Sequence, residues 1–159
     1  MLRFSGVKSL SSEVLDCVIS YNIYGGYCVP QSSIHRDAAK KILANDIYEP
    51  ETIHFLISNF NQGDIVHAGA YFGDFLPALS SACPANSKIW AFEPNIENYR
   101  CAEITLKINN INNVILANEG LGSHSSILPI RVTDDKGLSL GGGSSFISNA
   151  IEDSQSELA

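Results

Sequence analysis

The chain has 159 residues, which is enough for one domain with a hydrophobic core. Its hydrophobic content of 45% and charged content of 17% are typical of a soluble globular protein. The net charge of −7, with no cluster of Lys and Arg, argues against a nucleic-acid partner. No apolar run is long enough to cross a bilayer and the N-terminus lacks a signal-peptide core, so we predict a cytoplasmic protein without a membrane partner.

The spacing of cysteine and histidine does not predict a metal site. The four cysteines form no C-x-x-C pair, and none is spaced with a histidine as a zinc site requires. We therefore expect reduced cysteines that pack as small apolar side chains, and no structural metal. The residues concerned are Cys17, Cys28, Cys83 and Cys101, with His35, His54, His67 and His124.

The first 48 residues predict an N-terminal extension that contains helices and a hairpin. Residues 14–24 are apolar and predict a short helix followed by a strand. The run Tyr24-Gly25-Gly26-Tyr27 predicts a tight turn between two extended segments. Ser33 is placed to cap a helix that extends to about residue 44.

Residues 49–135 predict a core in which helices and strands alternate. Glu49 and Pro50 begin one helix, since proline suits a first turn, and Asn95 caps another. Predicted strands lie at 64–68, 88–92, 113–117 and 128–132, and predicted helices at 49–60, 74–81 and 96–109. This alternation predicts an α/β fold with a doubly wound, mostly parallel, Rossmann-like sheet. Because such sheets usually have more strands, we expect the chain to be C-terminally incomplete.

Residues 136–159 predict a tail outside that core. The segment is rich in glycine and serine and then polar and acidic, with no repeating apolar face, so we expect it to be poorly ordered. An incomplete sheet would leave exposed edges, and such edges favour association between copies. A homo-oligomer is therefore one expected state of the chain.

A glycine pair and a carboxylate follow two neighbouring strands of the predicted sheet. Gly69 and Gly73 enclose a turn after the strand at 64–68, and Glu93 ends the strand at 88–92. Glycines let the backbone approach a ligand closely, and a carboxylate there can accept hydrogen bonds from two ribose hydroxyls. Because the carboxyl ends of parallel strands meet at one edge, these residues predict a site for an adenosine cofactor.

The glycine spacing distinguishes between two adenosine cofactors. A dinucleotide site would have G-x-G-x-x-G, whereas this chain has Gly69-x-x-x-Gly73 followed by Asp74. A carboxylate at this position repels a pyrophosphate but tolerates a cationic ligand such as S-adenosylmethionine. A nicotinamide-dependent oxidoreductase remains the alternative from the same fold class, and a turn without any ligand is the simplest explanation of the glycines alone.

Five segments of the chain resemble FkbM-family methyltransferases, namely residues 25–30, 48–51, 63–74, 91–95 and 109–116. Those enzymes have a class I, Rossmann-like fold, depend on S-adenosylmethionine and mostly methylate hydroxyl groups of sugars and natural products. The resemblance therefore implies an O-methyltransferase whose partner is a small-molecule or sugar hydroxyl. A non-catalytic or truncated remnant that keeps part of the cofactor site is the other alternative.

The resemblance also implies roles for individual residues. It assigns the methionine part of the cofactor to the turn, the ribose to Glu93 beside Pro94 and Asn95, and the adenine to the loop after the strand at 113–117. It assigns the amino group of the cofactor to Glu49. The turn residues are Gly69, Ala70, Tyr71, Phe72 and Gly73, and the loop residues are Asn118, Glu119 and Gly120.

The chain departs from the family at two places. His67 stands where the family has an aspartate that helps to hold the amino-acid end of the cofactor, and a later family segment has no counterpart. An imidazole at position 67 is a candidate to replace that hydrogen bond or to act as a general base. Our candidate bases are His67, Asp74 and His35, in declining order.

Overall fold

A computed structural model describes residues 14–147. They form short helices and short strands, and the strands belong to three sheets. Two 3-10 turns, Gln31–Ser33 and Gly141–Gly143, complete the regular structure. The strands are β1 Cys17–Asn22, β2 Gly25–Pro30, β3 Ile65–Ala68, β4 Ile89–Phe92, β5 Val114–Ala117, β6 Ile130–Arg131 and β7 Ser145–Phe146. The helices are α1 Asp37–Leu43, α2 Pro50–Ser58, α3 Leu76–Ala82 and α4 Ile96–Ile108.

The central sheet is parallel and has the strand order β3-β4-β5. Its strands alternate with α3 and α4 along the chain, so the predicted α/β class with a parallel sheet is confirmed. One face of the sheet is buried, where Ile89 and Ala91 pack with Leu76 and Leu79 of α3. The three strands match the predicted strands at 64–68, 88–92 and 113–117 to within a residue at each end.

An antiparallel hairpin of β1 and β2 packs against α4, and Tyr27, Cys28 and Val29 of β2 are fully buried there. The side chain of Asn109 accepts a hydrogen bond from the Gly26 amide (2.9 Å) and donates one to the Gly26 carbonyl (2.7 Å). The predicted turn at residues 24–27 is displaced, since Gly25 and Gly26 already belong to β2. The predicted short helix within residues 14–24 is wrong, because its β-branched residues pair with β2 as a strand.

Two helices begin later than the sequence predicts. Helix α1 begins at Asp37, and Ser33 instead lies in the preceding 3-10 turn, where its hydroxyl shares a hydrogen bond with the Ser139 hydroxyl (3.0 Å). Helix α3 begins at Leu76, so Asp74 lies in the turn before it rather than at its first residue. Pro50 does begin α2, and the Asn95 side chain does cap α4 by accepting from the Glu97 amide (3.0 Å).

The last described residues form a second, small antiparallel sheet of β6 and β7. The predicted strand at 128–132 is therefore short and pairs outside the parallel sheet. In the first part of the tail predicted from residue 136, Ser139 and Gly141 have hydrogen-bond partners on distant elements. The rest of that tail, 148–159, lies outside the described residues, and the domain limits at 48 and 135 stay predictions.

The cysteines, the helix lengths and the metal-binding side chains bear on the predictions made from composition and residue spacing. All four cysteines are free thiols, and Cys28 and Cys101 are buried. In residues 14–147 no helix is long and apolar enough to cross a membrane. Over the same residues, no cluster of His, Cys, Asp and Glu is arranged to hold a metal ion.

Candidate functional site

The loops at the carboxyl ends of β3, β4 and β5 converge, as predicted. Glu93, which is 3% exposed, accepts hydrogen bonds from the backbone amide of Tyr71 at Oε2 and from that of Asn95 at Oε1, both at 2.8 Å. The Asn118 side chain donates to the carbonyl oxygens of Glu93 (2.8 Å) and Pro94 (3.2 Å). Glu93 therefore joins the glycine turn (residues 69–73) to the start of α4.

The two glycines of the glycine turn have different structural roles. Both have positive φ angles, +77° at Gly69 and +82° at Gly73, and Tyr71 between them also has a positive φ of 50°. A Cβ atom at Gly73 would lie 3.3 Å from Cγ2 of Thr105, so this glycine permits close packing against α4. A Cβ atom at Gly69 would meet no protein atom within 4 Å. Gly69 is thus the position where the turn faces open space.

The backbone amides of the glycine turn are used inside the protein. The amides of Gly69 and Ala70 both donate to the Phe92 carbonyl, at 2.9 and 3.0 Å, and the Gly73 amide donates to the Ala70 carbonyl at 2.8 Å. The Tyr71 amide is bound to Glu93. A pyrophosphate site needs amides that point at the ligand, and these four do not.

A cavity of about 450 Å³ lies beside the glycine turn. It brings together the three candidate bases, which come from three separate segments of the chain. Part of its wall comes from β3 and the turn that follows it, and part from the start of α1 and the Gly141–Gly143 turn. The lining residues are His35, Arg36, Asp37, Ala38, Tyr48, His67, Gly69, Tyr71, Asp74, Phe75, Gly142 and Gly143.

His67 reaches the cavity from the end of β3. Its ring stacks on Phe75 with ring centroids 6.0 Å apart and an interplanar angle of 20°. Burial lowers the pKa of His67, which favours the neutral imidazole. Its Nδ1 atom is buried and has no hydrogen-bond partner within residues 14–147. A buried polar atom without a partner is costly, and no group in the described residues satisfies Nδ1.

Asp74 supplies a carboxyl group to the same cavity. Burial raises the pKa of Asp74 to about 7, against hydrogen bonds from its own amide and from that of Phe75, which lower it. The negative charges of Glu49 and Glu93 raise this pKa further. A cationic ligand would reverse these effects and favour the ionised carboxylate.

His35 also lines the cavity and lies just before α1. Its Nε2 atom is 3.1 Å from the Ser139 carbonyl oxygen. Because a carbonyl only accepts, Nε2 is the donor of this hydrogen bond. This hydrogen bond comes from the segment that the sequence assigns to a poorly ordered tail.

The other predicted cofactor residues lie outside the cavity lining. Ala70 and Phe72 are fully buried in the two core clusters. Glu49, at the start of α2, has a left-handed backbone (φ 47°), and its carboxylate accepts from the Thr52 hydroxyl at 3.0 Å. The roles assigned to all of these residues stay predictions. The remaining members of the set lie in the loops after β4 and β5, namely Glu93, Pro94, Asn95, Asn118, Glu119 and Gly120.

Several lining residues are absent from the predicted site. Arg36 belongs to a polar run before α1, residues 32–36, which is a weak signal because such runs are common at helix starts. Tyr48 belongs to Tyr48-Glu-Pro-Glu51, part of the family resemblance. Gly142 and Gly143 come from the predicted tail, and no local pattern indicates that they reach a cavity formed by residues 35–75.

No protein-family model matches the chain, and no curated protein matches it. Among solved structures, it is similar to M. jannaschii TYW2 in complex with AdoMet, at 18% identity over 67% of this chain and 46% of that chain, with a TM-score of 0.44. It is also similar to aTrm5 in complex with tRNALeu, at 16% identity over 68% of this chain and 30% of that chain, with a TM-score of 0.42. The chain spans less than half the length of either protein, and similarity at this level identifies neither ligand nor substrate.

Proposed function

We propose that the chain binds S-adenosylmethionine and belongs to a methyltransferase. The observation that carries the proposal is the cavity beside the glycine turn, which is lined by Asp74 and by His67, whose buried Nδ1 has no partner among the described residues. A sulfonium and an ammonium group suit a carboxyl whose pKa burial raises to about 7, because a nearby cation stabilises its ionised form. The open space at Gly69 lets a ligand lie directly against the backbone.

The same turn argues against a nicotinamide dinucleotide. Four of its amides donate inside the protein, and the amides of Asp74 and Phe75 face the Asp74 carboxyl instead of a phosphate. A dinucleotide would place its pyrophosphate where this carboxyl stands, without backbone donors to neutralise it. The acidic turn therefore favours the cationic cofactor over the dinucleotide.

We propose a hydroxyl group of a sugar or other small molecule as the methyl acceptor. When bound, S-adenosylmethionine supplies an electrophilic methyl group, and the chain positions the acceptor oxygen and takes its proton. A new C–O bond forms as the S–CH₃ bond breaks. His67, Asp74 and His35 all line the cavity and are the candidates to receive the proton. The net charge of −7 is the reason to prefer a small acceptor over a nucleic acid.

Separate calorimetric titrations with S-adenosylhomocysteine and with NADH test the cofactor class. We expect micromolar affinity for the first and none for NADH. Gly69→Val should abolish binding, because the side chain enters the open space beside the turn. Gly137→Val is the matched control, since Gly137 has a similar φ of +78° and also no atom within 4 Å, but does not line the cavity.

The results of these titrations distinguish the proposed cofactor and acceptor from their alternatives. NADH binding would favour the oxidoreductase alternative, and binding of neither ligand would favour a non-catalytic remnant. Unchanged affinity in the Gly69 variant would place the ligand elsewhere. A parallel titration with mixed tRNA at low salt should show no binding, and tight binding there would overturn the small-molecule acceptor.

A further inference from the structure

Arg36 is the cationic side chain of the cavity whose charge the described residues do not neutralise. It is half-buried and lies next to His35 at the start of α1. Its backbone is held at both sides, because its amide donates to the Ser33 carbonyl and its carbonyl accepts from the Lys40 amide, both at 2.9 Å. The backbone of residue 36 is therefore fixed in the wall of the cavity.

The ion pairs of residues 14–147 do not include Arg36. Lys40, Lys41 and Arg131 pair with acidic residues at the surface. Asp37, the carboxylate next to Arg36 in sequence, pairs with Lys40 at 3.5 Å. The guanidinium of Arg36 is thus a cavity cation without a carboxylate partner in the described part of the chain.

The Gly141–Gly143 turn covers the Arg36 side chain closely. A Cβ atom at Gly141 would lie 3.2 Å from Cγ of Arg36 and 2.7 Å from the hydroxyl oxygen of Tyr71, and one at Gly143 would lie 3.6 Å from Nη2. The backbone of this turn therefore lies beside the Arg36 side chain and leaves no room for a side chain at Gly141.

We propose that Arg36 is the receptor for a carboxylate group in this cavity, an inference that rests on the proposed function. A guanidinium presents its N–H groups as a planar fork that matches a carboxylate, and the pair is stronger away from bulk water. Two ligands could bring that carboxylate: the amino-acid end of the cofactor, or a hydroxylated acid that serves as methyl acceptor. The second source suits the position of Arg36 beside His35, one of the candidate bases in the cavity lining.

Titrations of wild type and Arg36→Gln with three probes distinguish these sources. S-Adenosylhomocysteine carries the amino-acid end, 5′-methylthioadenosine lacks it, and glucuronate is a sugar acid to be titrated with and without saturating S-adenosylhomocysteine. Lys40→Gln is the matched control, because it removes the same charge from an exposed residue of α1. Arg36→Lys keeps the charge without the planar fork.

Either of two results supports the receptor. In the first, Arg36→Gln weakens the binding of S-adenosylhomocysteine about tenfold or more and leaves the binding of 5′-methylthioadenosine unchanged, which assigns the carboxylate of the cofactor to Arg36. In the second, Arg36→Gln abolishes the binding of glucuronate alone, which assigns the carboxylate of the acceptor to Arg36. In both cases Lys40→Gln should match wild type and Arg36→Lys should be intermediate. The proposal is overturned if Arg36→Gln matches wild type with every probe, or if wild type binds neither carboxylate probe. If wild type binds glucuronate but neither adenosine compound, and Arg36→Gln abolishes the glucuronate binding, the proposed cofactor is refuted and the receptor is kept.

Discussion

At the scale of single residues, the cavity combines ionisable groups whose protonation depends on their surroundings. Burial lowers the pKa of His67 and raises that of Asp74, so both groups are shifted toward their neutral forms. Glu93 is shifted in the same way, since burial raises its pKa to about 7 against the amides of Asn95 and Tyr71. A cationic ligand would therefore change the protonation of this site when it binds.

The affinity for S-adenosylhomocysteine should depend on pH through Asp74. The ammonium group of S-adenosylhomocysteine favours the ionised carboxylate of Asp74, and burial raises the pKa of that carboxyl in the free protein to about 7. Above that pH the affinity should be constant, and below it binding must displace a proton, so affinity should fall by up to about tenfold per pH unit. Calorimetry between pH 8 and pH 6 measures this slope.

Asp74→Asn is the control for that slope, because it keeps the shape of the side chain and removes its titration. The variant should bind more weakly at pH 8 and show a flatter profile. A slope that survives in the variant would assign the titration to another group, with Glu93 the first to examine by Glu93→Gln. A flat wild-type profile would contradict contact between Asp74 and the ammonium group.

Glu93 should contribute to stability as well as to the proposed ribose contact. Glu93→Ala leaves the buried amides of Tyr71 and Asn95 without their acceptor, so we expect the free energy of unfolding to fall by about 2–5 kcal/mol. Glu93→Gln keeps one acceptor oxygen and should cost less. Urea denaturation measures both variants, and an alanine variant as stable as wild type would show that Glu93 does not hold the glycine turn.

At the scale of elements, local patterns predict the sheet and long-range contacts decide the rest. Strands β3, β4 and β5 and helix α4 could be predicted because their signals, apolar runs and the Asn95 cap, lie within the elements themselves. The short helix predicted within residues 14–24 is wrong because pairing with β2, a long-range contact, makes Cys17–Asn22 a strand. The glycine turn and Glu93 could be placed at one sheet edge, whereas the wall with Arg36 and Gly142 depends on contacts more than 60 residues apart in sequence.

Thr105 of α4 connects the hairpin to the glycine turn. Its fully buried hydroxyl accepts from the Cys28 amide (3.0 Å) and donates to the Phe72 carbonyl (2.9 Å). Thr105→Val leaves both backbone groups buried without a partner, so we expect a loss of about 2–5 kcal/mol in the free energy of unfolding. Thr105→Ser keeps the hydroxyl and should lose about 1 kcal/mol. Equal stability of the two variants in urea denaturation would contradict this role.

At the scale of the whole molecule, the parallel sheet has two unlike faces. Helices cover the face that contains Ile89 and Ala91. On the other face, Val66, Trp90 and Ile115 are directly paired across the three strands and are 63%, 39% and 41% exposed. An aligned apolar row on a sheet face, next to exposed edge strands, favours association between copies.

Purified protein should therefore self-associate as its concentration rises, and substitutions in this row should reduce the association. Val66→Lys and Ile115→Lys place a charge on the exposed face and should shift the mass measured by light scattering towards the monomer. They should leave the free energy of unfolding nearly unchanged, because neither side chain packs in the core in residues 14–147. Phe55→Lys is the control, since Phe55 is 64% exposed but lies on α2, away from the row. If the control reduces association as much as the sheet variants do, association depends on general surface hydrophobicity. If no variant changes the mass measured by light scattering, the exposed sheet face takes no part in association.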